Sequence, residues 1–188
     1  DGLMSKNSCV LVISDTHAPY SHPDLIPFLK ALKKKYKPDR VVHIGDETDG
    51  HAISFHSSDS ELFSAGDELK EAIKELKELY AIFPKVDVLE SNHGSLIYRR
   101  AKSDGVPLHY IKSYAEILEA PSGWKWHKEL VLKLSNGKDC FFTHGLGANV
   151  KQVSQSMGMS VVQGHNHSQF KIDYWANPTD LSYGFHVG

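Results

Sequence analysis

Five apolar, strand-like runs of this chain are each followed at once by side chains that can bind a metal ion. The seven candidate ligands are Asp15, His17, Asp46, Asn92, His144, His165 and His167. In open α/β sheets, ligands bind outside the carboxyl ends of the strands, where loops carry polar groups on a rigid base. We therefore expect these seven side chains to lie together at the carboxyl ends of the strands.

The mixture of ligand types indicates which ions would bind. Carboxylate and amide oxygens combined with imidazole nitrogens suit borderline divalent ions, whereas calcium prefers sites made of oxygen alone. Seven ligands are too many for one tetrahedral zinc ion, but they suit two ions that share a bridging carboxylate. The sequence thus predicts two divalent transition metals, with manganese preferred and iron, zinc or nickel as alternatives.

The order of the motifs resembles that of the calcineurin-like metallophosphoesterase superfamily, and residues 45–69 and 91–102 are similar to small phage-encoded members. The motifs are Asp15-x-His17, Gly45-Asp46-x-x-Asp49, Asn92-His93, His144 and Gly164-His165-x-His167. The resemblance implies an α/β fold in which two mixed β-sheets pack as a sandwich with flanking helices. It also implies that one metal is held by Asp15, His17, Asp46 and His167, and the other by Asp46, Asn92, His144 and His165.

The chain departs from the superfamily's motifs at two positions. Asp49 is followed by Gly50, not by the arginine of the protein serine/threonine phosphatase branch, which argues against that branch. The acidic residue that commonly follows Asn-His is replaced by Gly94. Because a catalytic histidine needs a partner that fixes its tautomer, we expect the Asp49 side chain to hydrogen-bond His93. His93 would then protonate the leaving group or stabilise the phosphoryl oxygens; a structural histidine and a turn aspartate are the alternatives.

A basic and aromatic cluster follows the Asn-His motif closely. Cations beside an aromatic ring can follow a strand backbone and stack a base, so we expect Tyr98, Arg99 and Arg100 to contact a phosphate-ester substrate. The substrate would be a nucleotide phosphodiester or short single-stranded nucleic acid. A solvated helix face is the alternative. The net charge of −2 provides no long-range attraction for nucleic acid, so such binding would be local and salt-sensitive.

The spacing of apolar residues predicts the elements that position these loops. Strands are expected at residues 9–14, 40–44, 85–89, 139–143 and 160–163, and helices at residues 24–36, 64–83 and 113–118. The first half therefore predicts a β-α-β-α-β unit with a parallel sheet. From Trp124 onward, short alternating runs predict an antiparallel or mixed sheet.

Composition places the chain among ordinary globular domains. It has 188 residues, 40% of them hydrophobic, and 21 basic against 23 acidic side chains. No apolar run is long enough to span a bilayer and no leader segment is visible, so we expect a cytoplasmic protein that does not contact membranes. Cys9 and Cys140 lie in strand-like runs and are expected to be reduced, buried thiols.

We expect one domain over residues 5–188, with residues 1–4 a remnant of cloning. The chain ends at Gly188 inside a strand-like run, so closing strands of the second sheet are expected to be missing. Three functions stay open: a dinuclear phosphodiesterase, a small-molecule phosphomonoesterase, and a catalytically weak metal-binding scaffold of the same fold. The complete ligand set favours an enzyme, whereas Gly94 favours the scaffold.

Overall fold

The computed structural model describes residues 8–56 and 59–188. The predicted domain start at residue 5 and the predicted cloning remnant lie outside these ranges. The strands are β1 (Val10–Ile13), β2 (Arg40–His43), β3 (Val86–Leu89), β4 (Trp124–His127), β5 (Leu130–Lys133), β6 (Asp139–Thr143), β7 (Ser160–Gln163), β8 (Phe170–Ala176) and β9 (Leu181–Val187). The helices are α1 (Leu25–Tyr36), α2 (Ala65–Ile82), α3 (Leu96–Ser103), α4 (Tyr114–Ile117) and α5 (Val150–Met157), with 3-10 turns at His51–Ile53 and Leu108–Tyr110.

The strands form two sheets of different character. The first has the order β1-β2-β3-β4 and pairs in parallel throughout, as the β-α-β-α-β pattern predicts. The second has the order β5-β6-β7-β9-β8 and mixes parallel with antiparallel pairs. Within the described ranges only this second sheet is mixed, whereas the resemblance implied two mixed sheets. Helical crossovers explain the difference, since they return the chain to the same end of the first sheet before each new strand.

β4 lies in the parallel sheet, although its alternating pattern had been grouped with the second half. Trp124 packs against Tyr80 of α2, with ring centroids 4.7 Å apart, and its indole N–H donates to the Phe83 carbonyl. Helices of the first half bury the large aromatic ring of Trp124, and this burial favours pairing of β4 with the first sheet.

The two sheets pack face to face with helices on both outer faces. Val42 and Leu89 of the first sheet meet Phe142 and Val162 of the second in one buried cluster. Helices α1 and α2 cover the other face of the first sheet, and α5 covers the second sheet through Val150. The sandwich implied by the resemblance is therefore confirmed. No helix in the described part of the chain combines the length and apolarity that crossing a membrane requires.

Local signals explain which helices were predicted and which were missed. Ser64 caps α2 by accepting from the Asp67 N–H, and Ser113 forms a full capping box with Glu116 at α4. Helices α3 and α5 have eight residues each. About two turns are too short for the repeated apolar spacing that predicts a helix.

The two cysteines are expected to differ strongly in reactivity. Cys140 is 0% exposed, and burial raises the pKa of its thiol to about 11, whereas Cys9 is half-buried. Since the thiolate is the reacting form, a disulfide reagent at pH 8 should modify Cys9 quickly and Cys140 only after unfolding. In Cys9→Ser protein the fast phase should disappear. Two thiols reacting at one rate in the native protein would contradict this burial.

Candidate metal centre

The carboxyl ends of five strands bring all seven candidate ligands together. Two groups of these side chains have ligand atoms within 4.8 Å of one another: Asp15, His17 and His167 in the first, and Asp46, His144 and His165 in the second. A third such group joins His17 to Asp49 and His93. Asn92 joins the second group, because its Oδ1 lies 2.7 Å from His144 Nε2. These loops follow β1, β2 and β3 of the first sheet and β6 and β7 of the second, so the carboxyl ends of strands from both sheets carry the ligands.

Asp46 lies between the two groups. Its Oδ2 is 3.2 Å from His144 Nε2 and 3.9 Å from His17 Nε2, and the residue is 2% exposed. Imidazole nitrogens also approach each other closely, with His17 Nε2 at 3.2 Å from His167 Nε2. Ring nitrogens at this separation share a proton or a common ion, so the donor set fits divalent metals with Asp46 reaching both.

Hydrogen bonds at the far nitrogen orient two of the imidazoles. His144 Nδ1 donates to the Ile44 carbonyl at 3.1 Å, and His17 Nδ1 donates to Asp49 Oδ1 at 2.8 Å. Each contact places the proton on Nδ1 and leaves Nε2 directed into the centre as a ligand. The Asp49 carboxylate therefore fixes the orientation and tautomer of His17.

Charge in the centre is balanced between carboxylates and imidazoles. Burial works against ionisation of Asp46, but hydrogen bonds from His144 and Ser91 and the nearby imidazoles hold the pKa of its carboxyl well below the usual range. Burial also disfavours protonation of His17 and His144. The hydrogen bond to Asp49 for His17, the bond to Asp46 for His144 and the surrounding aspartates outweigh burial, and the pKa of each imidazole is raised. Metal binding would therefore release protons and weaken as pH falls.

The backbone at the ligands adopts an uncommon conformation. Asp15, His17, Asp46 and His165 have φ angles of 47°, 48°, 50° and 71°. Residues other than glycine seldom adopt positive φ, and such positions cluster at functional sites where the surrounding fold enforces them. The backbone conformation of these loops therefore indicates a functional site independently of side-chain type.

Two motif glycines allow the strand ends to approach each other. A Cβ at Gly45, where φ is 105°, would lie 2.6 Å from Ser91 Cβ and 2.8 Å from the Leu89 carbonyl oxygen. A Cβ at Gly164 would overlap Ser14 Oγ and Asp15 Oδ2. Any larger residue would push apart the loops that carry the ligands.

Sequence comparison assigns the chain to a family. A profile of the calcineurin-like phosphoesterases matches residues 10–177, which include all seven candidate ligands. The chain belongs to the calcineurin-like phosphoesterase family. Membership places it, in general terms, among metal-dependent phosphoesterases. The likeness to phage-encoded members stays a prediction.

Comparison with solved structures finds a similar chain. Vacuolar protein sorting 29 from Cryptosporidium parvum matches with a TM-score of 0.48 and 15% sequence identity, over 95% of this chain and 72% of that one. No curated protein matches this calcineurin-like phosphoesterase.

The predicted hydrogen bond between the side chains of Asp49 and His93 is wrong. His93 Nδ1 donates to the main-chain carbonyl of Asp49, while the carboxylate is engaged with His17. A side chain at Gly94 would be tight, with its Cβ 3.2 Å from Ser91 Oγ and 3.3 Å from the Tyr114 ring. In this phosphoesterase a backbone carbonyl therefore takes the orienting role that an acidic residue was expected to fill.

His93 lies at the edge of the metal centre. Its main-chain N–H donates to Asp46 Oδ1 at 3.1 Å, and its ring Nε2 lies 4.0 Å from Asp46 Oδ2. The ring meets His17 edge-on, with centroids 4.8 Å apart. Since Nδ1 is held by the Asp49 carbonyl, Nε2 is the atom that can exchange a proton with a bound substrate.

The predicted substrate contacts on α3 differ in their surroundings. Arg100 donates to the Ile53 carbonyl at 2.9 Å and the Ser54 carbonyl at 2.6 Å, so it holds the turn that follows Asp49. Arg99 is exposed and donates to the Asn92 carbonyl at 2.8 Å. Tyr98 donates to the Lys112 carbonyl at 3.2 Å. All three donate to main-chain carbonyls and remain predicted substrate contacts; Arg100, with two such bonds and partial burial, is the most constrained of them.

Two buried glutamates near the centre were not anticipated. Glu68 of α2 accepts from the N–H groups of His51 and Ala52, each at 2.8 Å, and so fixes the turn after Asp49. Glu47 is 1% exposed, and burial raises the pKa of its carboxyl to about 7. The sequence did carry a signal for Glu47, because it is an acidic residue close behind a buried strand. It was not singled out because the neighbouring Asp46 had already been assigned as the acidic ligand of that loop.

Another histidine, His43, was expected to be a satisfied core residue, and this is confirmed. It is 0% exposed, its Nδ1 accepts from the Gly45 N–H at 3.2 Å, and its Nε2 lies 3.2 Å from Thr16 Oγ1. Burial lowers the pKa of this imidazole to about 4, so it is neutral at physiological pH.

Replacing Asp49 by alanine should weaken manganese binding by about 10–100-fold, because His17 loses the partner that fixes its tautomer. The main-chain carbonyl that orients His93 stays in place, so turnover at saturating manganese should change much less. Calorimetric titration of the metal-free proteins measures the first effect, and Asp49→Asn, which keeps an acceptor oxygen, should recover part of it. Unchanged manganese affinity with a large fall in turnover would contradict this role.

Proposed function

We propose that the chain is a dinuclear metal-dependent phosphoesterase that acts on phosphodiesters of nucleotides or single-stranded nucleic acid. The position of Asp46 carries the proposal. Its carboxylate lies within 3.9 Å of imidazoles from both ligand groups, as a shared ligand must. One ion would be held by Asp15, His17, Asp46 and His167, and the other by Asp46, Asn92, His144 and His165, with manganese the preferred ion.

The bound ions and the chain's own residues would supply different parts of the chemistry. Two bound divalent ions supply Lewis-acid activation of water and charge stabilisation at the phosphoryl group. The chain supplies His93. Protonated on both nitrogens, it keeps Nδ1–H on the Asp49 carbonyl and presents Nε2–H to the leaving group. As water forms the new P–O bond and the ester P–O bond breaks, the leaving alkoxide takes the Nε2 proton.

A preference for esters of sugar alcohols over aryl esters follows from the leaving group, and a preference for diesters from the cation nearby. A proton from His93 matters most for a poor leaving group such as a sugar alkoxide, and least for a stable phenolate. Exposed Arg99 offers a cation beside the Asn92 loop, which suits the charged backbone of a nucleotide chain.

The manganese-loaded protein should hydrolyse bis-p-nitrophenyl phosphate at least as well as p-nitrophenyl phosphate, judged by kcat/KM. A strict preference for the monoester would shift the function to a small-molecule phosphomonoesterase. No hydrolysis of either ester by protein with two bound manganese ions would instead support the catalytically weak scaffold.

A further inference from the structure

A cleft of about 850 Å³ borders the metal centre on the helix side of the first sheet. Among its walls are Glu47, Asn92, Tyr98, Tyr114, Trp126 and Lys128. The volume lies within the range of small-molecule sites, which typically combine apolar walls with a few fixed polar groups. We propose that this cleft binds the nucleobase of a substrate whose phosphate lies at the metal centre, which rests on the proposed function and specifies its substrate class.

Glu47 supplies the polar group that would recognise the base. Its Oε1 accepts from the Trp126 indole N–H at 2.9 Å, whereas Oε2 has no hydrogen-bond partner among the described residues. A buried carboxylate oxygen without a partner is costly, and native structures seldom leave one so. Oε2 is shielded from solvent in this state, so an N–H donor in the cleft would satisfy it once the Glu47 side chain turns toward the ligand. Sugar hydroxyls also donate, but the pairing edge of a nucleobase combines such donors with a flat ring that stacks on the aromatic walls, and an alkyl group has neither.

The aromatic walls suit a flat ring. Tyr114 and Trp126 meet edge-on with centroids 5.9 Å apart, and Tyr98 lines the same cleft. The Tyr114 hydroxyl lies 2.7 Å from Thr48 Oγ1, and Tyr98 is tied to the Lys112 carbonyl, so both rings are held in place before a ligand arrives. Stacking on fixed rings binds a base with little loss of side-chain freedom.

The cleft meets the metal centre through one loop. Ser91 and Asn92 both line it, and the Ser91 hydroxyl accepts from the Asp46 N–H at 2.9 Å. A ligand can therefore place a ring against the aromatic walls and a phosphate beside Asn92. Lys128 adds a cation to the cleft wall, where a further phosphate of a longer substrate could bind.

A second pocket, of about 270 Å³, lies beside His93 and lacks these features. Its walls are largely apolar, with Ile53, Ile97 and Leu118 among them. Its acidic residue, Glu68, already accepts backbone N–H groups at both oxygens. Glu68 therefore has no free carboxylate oxygen for a base, and the larger cleft is the better candidate for the base-binding site.

The experiment compares two hydrolysis-resistant ligands by calorimetry on the manganese-loaded protein: a guanosine phosphonate and the matching ribose phosphonate without a base. We expect the guanosine ligand to bind at least tenfold more tightly. Glu47→Gln, which replaces one acceptor oxygen with a donor, should remove most of that advantage without changing binding of the ribose ligand. Glu129→Gln is the matched control, because Glu129 is an exposed acid outside the residues that line the cleft.

A second variant keeps the test decisive if Glu47→Gln does not fold. Tyr98→Leu removes one aromatic wall and should also lower binding of the guanosine ligand alone. Equal binding of the two ligands to the wild-type protein would overturn the base cleft while leaving the phosphoesterase proposal standing. Failure of both ligands to bind would overturn the two proposals together.

Discussion

In the Asp46→Asn protein, we expect turnover of phosphate esters to fall by at least about a thousandfold. We also expect less than one manganese ion to bind per chain. The carboxylate is buried, and it is the side chain that reaches both imidazole groups, at 3.2 and 3.9 Å. An amide of the same shape removes the negative charge that two cations would share, so both sites should weaken together.

The measurement is metal content after loading and gel filtration, with turnover of bis-p-nitrophenyl phosphate on the same samples. Asp24→Asn is a suitable control, because this aspartate is exposed and lies just before α1. A variant at position 46 with normal metal content and normal turnover would refute the shared-ligand role.

His93→Gln protein is expected to lose about 10²–10⁴-fold in kcat on a dinucleotide, with metal content unchanged. The loss should be far smaller for p-nitrophenyl esters, because p-nitrophenolate leaves without a proton. The geometry supports this split: Nδ1 is fixed by the Asp49 carbonyl, and Nε2 lies within 4.0 Å of Asp46 at the edge of the centre.

Single-turnover assays on both substrates separate this chemical step from product release. His109→Gln, at an exposed histidine of the second 3-10 turn, is the matched control. Equal losses on the dinucleotide and the p-nitrophenyl ester would show that His93 does not act on the leaving group.

The sequence was sufficient to predict the convergence of the ligands. Asp15, Asp46 and His144 each follow a strand end, and sites in α/β folds form outside the carboxyl ends of the strands. The parallel first sheet and the long helix α2 were likewise predictable, since strand-length runs, capping residues and apolar spacing are local features of the chain.

Other features depend on contacts that side-chain identity does not encode. The partner of His93 is a main-chain carbonyl, which every residue carries, so no sequence pattern marks Asp49 as its position. Arg100 faces the turn at Ile53 because α3 is a helix, and α3 was too short and polar to predict. The positive φ angles at the ligands likewise arise from tertiary packing.

The central claim is that two ions share Asp46, and one diffraction experiment tests it most directly. Crystals of the manganese-loaded protein, measured on either side of the manganese absorption edge, should show two anomalous peaks about 3.5–4 Å apart. One peak should lie among Asp15, His17 and His167 and the other among Asn92, His144 and His165, with Asp46 between them. A single peak, or peaks that Asp46 does not contact, would contradict the dinuclear site.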